Sequence, residues 1–317
     1  PHRREDLLTV AAPVAYDPAA ECPTWERFLT RIMGGDGALI SFLQRVVGYS
    51  LTGDVSEQKL FFAWGAGANG KSTFIGAVLD MLGGDYAAQA APDLLVAGSQ
   101  RHPTELADLR GKRLIASIEV DDGKRLAEGL VKQLTGGDRI KARLMRQDFF
   151  EFAPTHKLLL VANHNPAVRG VDHAIWRRIC LIPFDVTIPE GEQDKQLPSK
   201  LRAEAPGILA WAVRGCLTWQ RRGLDVPAAV RAATEQYRTE SDTLGAFLEE
   251  CTVAGDACQV KAGDLYKVYQ TWCEAGGERA LSATTFGKRL ADRGFDKYRQ
   301  TRGYFYLGIA LAESAEA

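Results

Sequence analysis

Hydrophobic positions along the 317 residues change their period twice. Near the start, Trp25, Phe28, Leu29 and Ile32 recur at i, i+3, i+4 and i+7. After Gly34 and Gly35, Leu39, Leu43, Val46 and Val47 do the same behind Asp36. That spacing puts each set on one helical face and suits Asp36 to cap the second, predicting a helical hairpin of about 30 residues. From residue 55 the pattern becomes short apolar runs separated by helical stretches. Leu60–Trp64, Arg113–Ile118, Lys157–Ala162 and Ile179–Phe184 read as strands, and Thr73–Leu82 and Lys124–Leu134 as helices. Strands alternating with helices predict an α/β core with a parallel sheet. Lys200–Arg222 and Pro227–Glu250 read as a long helical stretch closing that core. Farther on, Ala262–Cys273 and Ser282–Asp292 have helical spacing, and the alternating aromatics of Phe295–Ile309 surround Arg302-Gly303 as in a β-hairpin. Two helices and a basic hairpin predict a winged helix. The expected organisation is a helical region over 1–54, the α/β core over 55–238 and the winged-helix domain over 239–317.

Composition narrows the class without choosing a function. With 46% hydrophobic and 25% charged residues the chain is of ordinary soluble globular type, and 39 Lys plus Arg against 40 Asp plus Glu give no global pull toward nucleic acid. Any DNA-binding surface must be local. The longest apolar runs, such as Leu158–Ala162 and Ile208–Val213, fall far short of the roughly 18–20 residues a membrane span needs. Leu7–Tyr16 is broken by Pro13 and does not resemble a secretory signal. Six irregularly spaced cysteines without a CxxC predict neither zinc site nor disulfide framework, in keeping with a reducing cytoplasm. His102, His156, His164 and His173 lack metal-ligand spacing and read as structural or surface residues. The first residue is Pro1 rather than Met, so the chain reads as a piece of a longer protein.

The strongest chemical signal follows the first strand. Gly65-Ala66-Gly67-Ala68-Asn69-Gly70-Lys71-Ser72 matches GxxxxGK[ST], and Thr73 continues into a helix, giving the strand, loop and helix order this motif requires. Glycines let such a loop curl so that backbone N–H groups face phosphates at the helix N-terminus. Lys71 would neutralise the β- and γ-phosphate oxygens of ATP, and the Ser72 hydroxyl can ligate Mg²⁺.

Other candidates lie at the ends of later strands, where open α/β sheets bind ligands. Arg113–Ile118 ends in Glu119, with Asp121 and Asp122 beyond, so a carboxylate is available to hold the Mg²⁺ shell or polarise the attacking water. Alone, this acidic stretch would read as a solvated loop; beside the phosphate loop Glu119 ranks first. Lys157–Ala162 ends at Asn163, whose amide could hydrogen-bond the γ-phosphate or the water. Arg177 and Arg178, on an expected short helix, are candidates for an arginine reaching a neighbouring subunit's site.

Charge locates two candidate DNA surfaces. From Arg139 to Arg178 eight basic side chains face three acidic ones, and strands expected over Arg139–Leu144 and Phe149–Ala153 form a hairpin with Arg146 at its tip. Lys141, Arg143 and Arg146 could contact phosphates, giving salt-sensitive, sequence-tolerant binding. From Lys261 to Arg302 nine basic residues face five acids, with Lys288, Arg289 and Arg293 on or just after the second helix and Arg299 and Arg302 on the wing. Winged helices also dock proteins, so both partners remain open for this unit.

Taken together, the GxGxNGKS loop of Gly65–Ser72, Arg113–Glu119, the KQLTGGDRIKAR segment of Lys132–Arg143, Asn163 and Arg177-Arg178 resemble the superfamily 3 helicase domain of phage, plasmid and poxvirus primase-helicases. Tyr16-Asp17, Cys22-Pro23 and Gly48-Tyr49 resemble the helical region preceding that ATPase, and Leu265-Tyr266, Phe286-Gly287 and Arg293-Gly294-Phe295 its terminal winged helix. The resemblance implies an AAA+-type P-loop ATPase core that assembles as a homo-hexamer around single-stranded DNA, translocates 3′ to 5′ and unwinds forked DNA in the cytoplasm. It implies that Gly65 through Thr73 hold nucleotide, that Ser72 and Glu119 serve Mg²⁺, that Asn163 is the sensor and that Arg178 or Arg177 is the trans arginine. It also implies a pore hairpin where Lys141, Arg143 and Arg146 lie, and an upstream primase-polymerase domain on the same polypeptide. Glu119-Val120-Asp121-Asp122 stands where many relatives have two adjacent acids, leaving the division of metal and water duties open. Two rival readings are a P-loop translocase that moves DNA without separating strands, and a non-catalytic origin-binding or primase-docking protein.

Overall fold

The computed structural model describes residues 3–91, 93–98, 103–118, 124–168, 173–276 and 280–312, which fall into two units, 1–241 and 242–317. The first contains α1 (Pro23–Ile32), α2 (Gly37–Tyr49), β1 (Leu60–Trp64), α3 (Lys71–Tyr86), β2 (Ala87–Gln89), α4 (Pro103–Ala107), β3 (Leu114–Ile118) and α5 (Glu128–Thr135). It continues through β4 (Ile140–Arg143), β5 (Phe149–Phe152), β6 (Lys157–Ala162), α6 (His173–Trp176), β7 (Ile179–Pro183), α7 (Leu197–Ala203), α8 (Ala205–Arg222) and α9 (Ala228–Glu240). The helical region over 1–54 packs within this unit.

Five parallel strands run in the order β2-β3-β6-β1-β7, with Phe61 beside Leu159 on one flank and Cys180 on the other. Parallel sheets bury both faces, and side-chain alternation divides this one. Phe61, Ala63, Leu159, Val161 and Ile182 pack toward α1, α2, α3 and α8. Leu60, Phe62, Leu158, Leu160 and Leu181 pack toward α5, the β4–β5 hairpin and Tyr237 of α9. On the first face Trp25 stacks on Phe74 at 5.5 Å and meets Trp211 edge-on, joining α1 to α3 and α8. A Cβ added at Gly48 would stand 2.1 Å from the backbone nitrogen of Cys216, so α2 and α8 cross at backbone contact.

The second unit contains α10 (Thr243–Cys251), β8 (Thr252–Lys261), α11 (Ala262–Ala275), α12 (Ala283–Ala291), β9 (Lys297–Gln300) and β10 (Gly303–Leu311). Its antiparallel sheet runs β8-β10-β9 around a core of Leu244, Phe247, Leu265, Tyr269, Phe286 and Tyr306. No described helix is long and apolar enough to cross a membrane.

Several boundaries differ from the sequence expectation for local reasons. The helix expected from Lys124 starts at Glu128, because Arg125 and Leu126 are drawn into isolated bridges with Ala167 and Val96. The stretch from Lys200 to Arg222 divides at Glu204, whose carboxylate accepts the N–H groups of Thr24 and Trp25 at 3.0 Å and so caps α1. Pro227–Glu250 divides at Asp242, whose side chain caps α10 and whose carboxylate is held by Arg293 at 2.5 Å. Arg177 and Arg178 lie in the turn between α6 and β7 rather than on the helix. Two strands escaped prediction: β2 has only three residues, and β8 carries Gly255 and mixed polarity, without apolar alternation.

Candidate functional site

The glycine-rich loop leaves the end of β1, the strand between β6 and β7, and enters α3 at Lys71. Gly67 (φ 108°), Ala68 (φ 48°) and Gly70 (φ 83°) take left-handed conformations, which glycine adopts with little penalty and alanine does not. The loop's shape is fixed from outside the motif. Asn69, buried, donates to the Phe184 carbonyl at 3.0 Å, and the Ile188 N–H donates to the Ala68 carbonyl at 2.7 Å. Gly65 allows this closeness, since a Cβ there would stand 2.2 Å from Asn69 Nδ2.

Lys71 is buried, and its ammonium donates to the Gly65 carbonyl at 2.6 Å and to Asn69 Oδ1 at 3.0 Å. Burial lowers its pKa below that of an ordinary lysine, because desolvation opposes the charged form. Ser72 is exposed on the first turn of α3. Together the left-handed cradle, the helix N-terminus, the ammonium and the hydroxyl form a donor set suited to a nucleotide polyphosphate with its divalent cation.

A cavity of about 1190 Å³ opens over this loop. Gly67 through Thr73 line it, and Gly65 and Ala66 build the loop behind the lining. Ile118 at the end of β3 and Asn163 and His164 just past β6 reach the same cavity, so the ends of three adjacent strands converge there. Glu119, Asp121 and Asp122 lie outside the described residues, as does Arg169. Among the described residues no cluster of three His, Cys, Asp or Glu side chains gathers in metal-binding geometry, and all six cysteines are free thiols.

The two candidate arginines separate sharply. Arg178 is buried, its Nε donating to Thr135 Oγ1 at 3.1 Å and an Nη to the Ala174 carbonyl at 2.6 Å. Arg177 is exposed, with one donation to Gln58 Oε1 at 3.3 Å. Neither lines the cavity of its own chain. Burial against α5 and α6 therefore ties Arg178 to its own chain, whereas the Arg177 side chain stands at the surface.

Arg143 pairs with Phe149 and Ile140 with Phe152 in the β4–β5 hairpin, turning at Arg146 (φ 59°). Ile140, Ala142 and Phe152 face the core; Lys141, Arg143, Phe149 and Glu151 share the other face. The ammonium of Lys141 and the guanidinium of Arg143 lie 5.2 and 5.1 Å from the Phe149 ring centre, and Met145 is exposed near the tip. In the second unit Lys288 and Arg302 are exposed, Arg289 is half-buried and Arg293 is engaged by Asp242.

Sequence reasoning missed one wall of the cavity. Thr24, Arg27, Phe28 and Arg31 of α1 line it, as do Ile188, Leu197 and Lys200 from the stretch after β7. The periodicity that revealed α1 marked Phe28 only as core, and no local motif signals the rest.

Three family models match separate stretches. A family of unknown function covers residues 63–178, a D5 N terminal like model residues 1–34 and a Poxvirus D5 protein-like model residues 239–307. A candidate helicase of Acanthamoeba polyphaga mimivirus is 26% identical over 269 residues, covering 77% of this chain and 28% of the relative. A candidate helicase of Frog virus 3 is 26% identical over 273 residues, covering 78% and 27%. A candidate primase of African swine fever virus is 20% identical over 268 residues, covering 77% and 28%. The chain therefore spans under a third of the length of these curated relatives. Among solved structures, the apo A form of the NrS-1 C-terminal region shares the fold at a TM-score of 0.57 and 10% identity, over 94% of this chain and 78% of that one. With D5-type models matching at both ends and viral helicase- and primase-named proteins matching over more than three quarters of the chain, these likenesses support the poxvirus D5-like primase-helicase family.

Proposed function

We propose that this chain is the ATP-driven helicase module of a D5-like replication protein, with an AAA+-type P-loop core of superfamily 3 and a C-terminal winged helix. The observation that carries this reading is the left-handed loop at the end of β1, with Lys71 beneath it and Asn163 across the same cavity. ATP lies with its phosphates over Gly67–Thr73. Ser72 and Glu119 would hold Mg²⁺, which would supply charge neutralisation on the phosphate oxygens. Lys71 leaves its loop carbonyl for the β- and γ-phosphates, Glu119 polarises the attacking water and Asn163 orients it. Arg177 enters the neighbouring subunit's site in a homo-hexamer and stabilises the charge developed during transfer.

DNA engages the β4–β5 hairpin through Lys141, Arg143 and Arg146, and the second unit through Lys288, Arg289 and Arg302, largely at phosphates. In this reading the motor translocates 3′ to 5′ on single-stranded DNA, unwinds a fork, and serves an upstream primase-polymerase domain of the same polypeptide. The test is ATP hydrolysis with and without single-stranded DNA, with Lys71→Ala as the blank and particle mass recorded in the same samples. Stimulated turnover at ring-sized mass, abolished by Lys71→Ala, is expected. Turnover that survives Lys71→Ala would overturn the site, and stimulated turnover without strand displacement would favour a non-unwinding translocase.

A further inference from the structure

Thr24, Arg27, Phe28 and Arg31 stand at i, i+3, i+4 and i+7, one stripe of α1, and all four line the cavity above the glycine-rich loop. The helix is pinned there by its other contacts. Glu204 caps its first turn, Trp25 stacks on Phe74, and Phe28 and Ile32 lie against Gly70, where an added Cβ would be 3.1 Å from the Phe28 ring and 2.5 Å from Ile32 Cγ2. Ile188, Leu197 and Pro198 line the same cavity, and the Ile188 N–H is bonded to the loop at Ala68. Both stretches are thus attached to the loop, and each brings apolar side chains, Phe28 on one and Ile188, Leu197 and Pro198 on the other, among mostly polar and charged lining residues.

Arg31 reaches Glu192 at 2.5 Å, and both side chains are about half exposed (51% and 58%). An ion pair this exposed is weak and exchangeable, whereas a guanidinium gains most from a phosphate or other oxyanion it can grip with its planar fork. We propose that α1 is the second wall of the nucleotide site. Phe28 packs against the nucleoside opposite Ile188 and Leu197, and Arg31 exchanges Glu192 for the nucleotide's negative charge. The inference rests on the ATPase reading and adds a part of the chain outside the motif-bearing core, within the residues matched by the D5 N terminal like model.

Equilibrium titration of the full chain with a fluorescent ATP analogue tests it. Arg31→Gln should weaken binding about tenfold, the loss of one charge-assisted contact, and Arg31→Lys should recover most of it. Glu192→Gln should bind as tightly as the unaltered chain or up to about twofold tighter, because Arg31 is released. Arg238→Gln, an exposed arginine of α9, should not change affinity, and circular dichroism confirms folding in each case. Arg31→Gln within twofold of the unaltered chain, while Lys71→Ala binds poorly, would overturn the role of α1 and leave the ATPase reading standing. Equal weakening by Glu192→Gln and Arg31→Gln would make the pair a structural strap and also overturn it. An unaltered chain that binds no nucleotide would overturn both.

Discussion

Arg177 and Arg178 are chemically identical in sequence, yet the structure predicts opposite consequences for their loss. Arg178 is 8% exposed and holds Thr135 Oγ1 and the Ala174 carbonyl, and Thr135 in turn donates to the Val131 carbonyl at 2.6 Å. Hydrogen bonds from a charged donor contribute roughly 1.5–3 kcal/mol each, and releasing a buried charge offsets part of that. Arg178→Ala should therefore destabilise the first unit by about 2–4 kcal/mol, or about 4–16 °C in Tm for a unit of this size. Arg177, exposed with a single 3.3 Å bond to Gln58, should change stability by no more than about 0.5 kcal/mol when replaced by alanine. Thermal unfolding separates the two. A subunit-mixing assay then asks which arginine acts in trans: Arg177→Ala mixed with Lys71→Ala should regain hydrolysis through hybrid interfaces, and Arg178→Ala should not. An Arg178→Ala protein that melts with the unaltered chain, and that alone is rescued by mixing, would refute the assignment.

Gly70→Ala should cost about 2–4 kcal/mol, from alanine's left-handed penalty and overpacking against the buried Ile32 and Phe28, whereas Gly76→Ala, with open space around its Cβ, should be neutral or stabilising. Chemical denaturation of both variants checks this, and equal costs would contradict it. His156 is buried, neither ring nitrogen has a hydrogen-bond partner among the described residues, and burial first and Lys157 second lower its pKa to about 4. The unfolded chain binds this proton near pH 6.5 and the folded chain only near 4, so stability present above pH 6.5 is lost as pH falls through that window. The loss is about 3 kcal/mol when complete. His156→Leu should flatten that limb of an unfolding-versus-pH series, and an unchanged slope would refute the shift.

What could be read locally was what a short stretch determines by itself. The runs of β1, β6 and β7 were legible because their strands are buried on both faces, and the hairpin because its turn and the alternation of Ile140, Ala142 and Phe152 fix one register. The distinction between Arg177 and Arg178 was not legible, because it depends on Thr135, more than forty residues earlier in the chain. The same holds for the candidate site. Gly65–Ser72 spells a motif in eight residues, but its geometry is held by the Phe184 carbonyl, the Ile188 N–H and the α1 face against Gly70. The helix on that face is itself capped by Glu204, some 180 positions away. The chemistry expected at the phosphates could therefore be read from spacing alone, whereas the walls that decide what sits beside them come from contacts that exist only after the chain has closed on itself. Variants that loosen α1 without touching the motif, such as Glu204→Gln, are consequently expected to weaken nucleotide binding through the wall rather than through the loop.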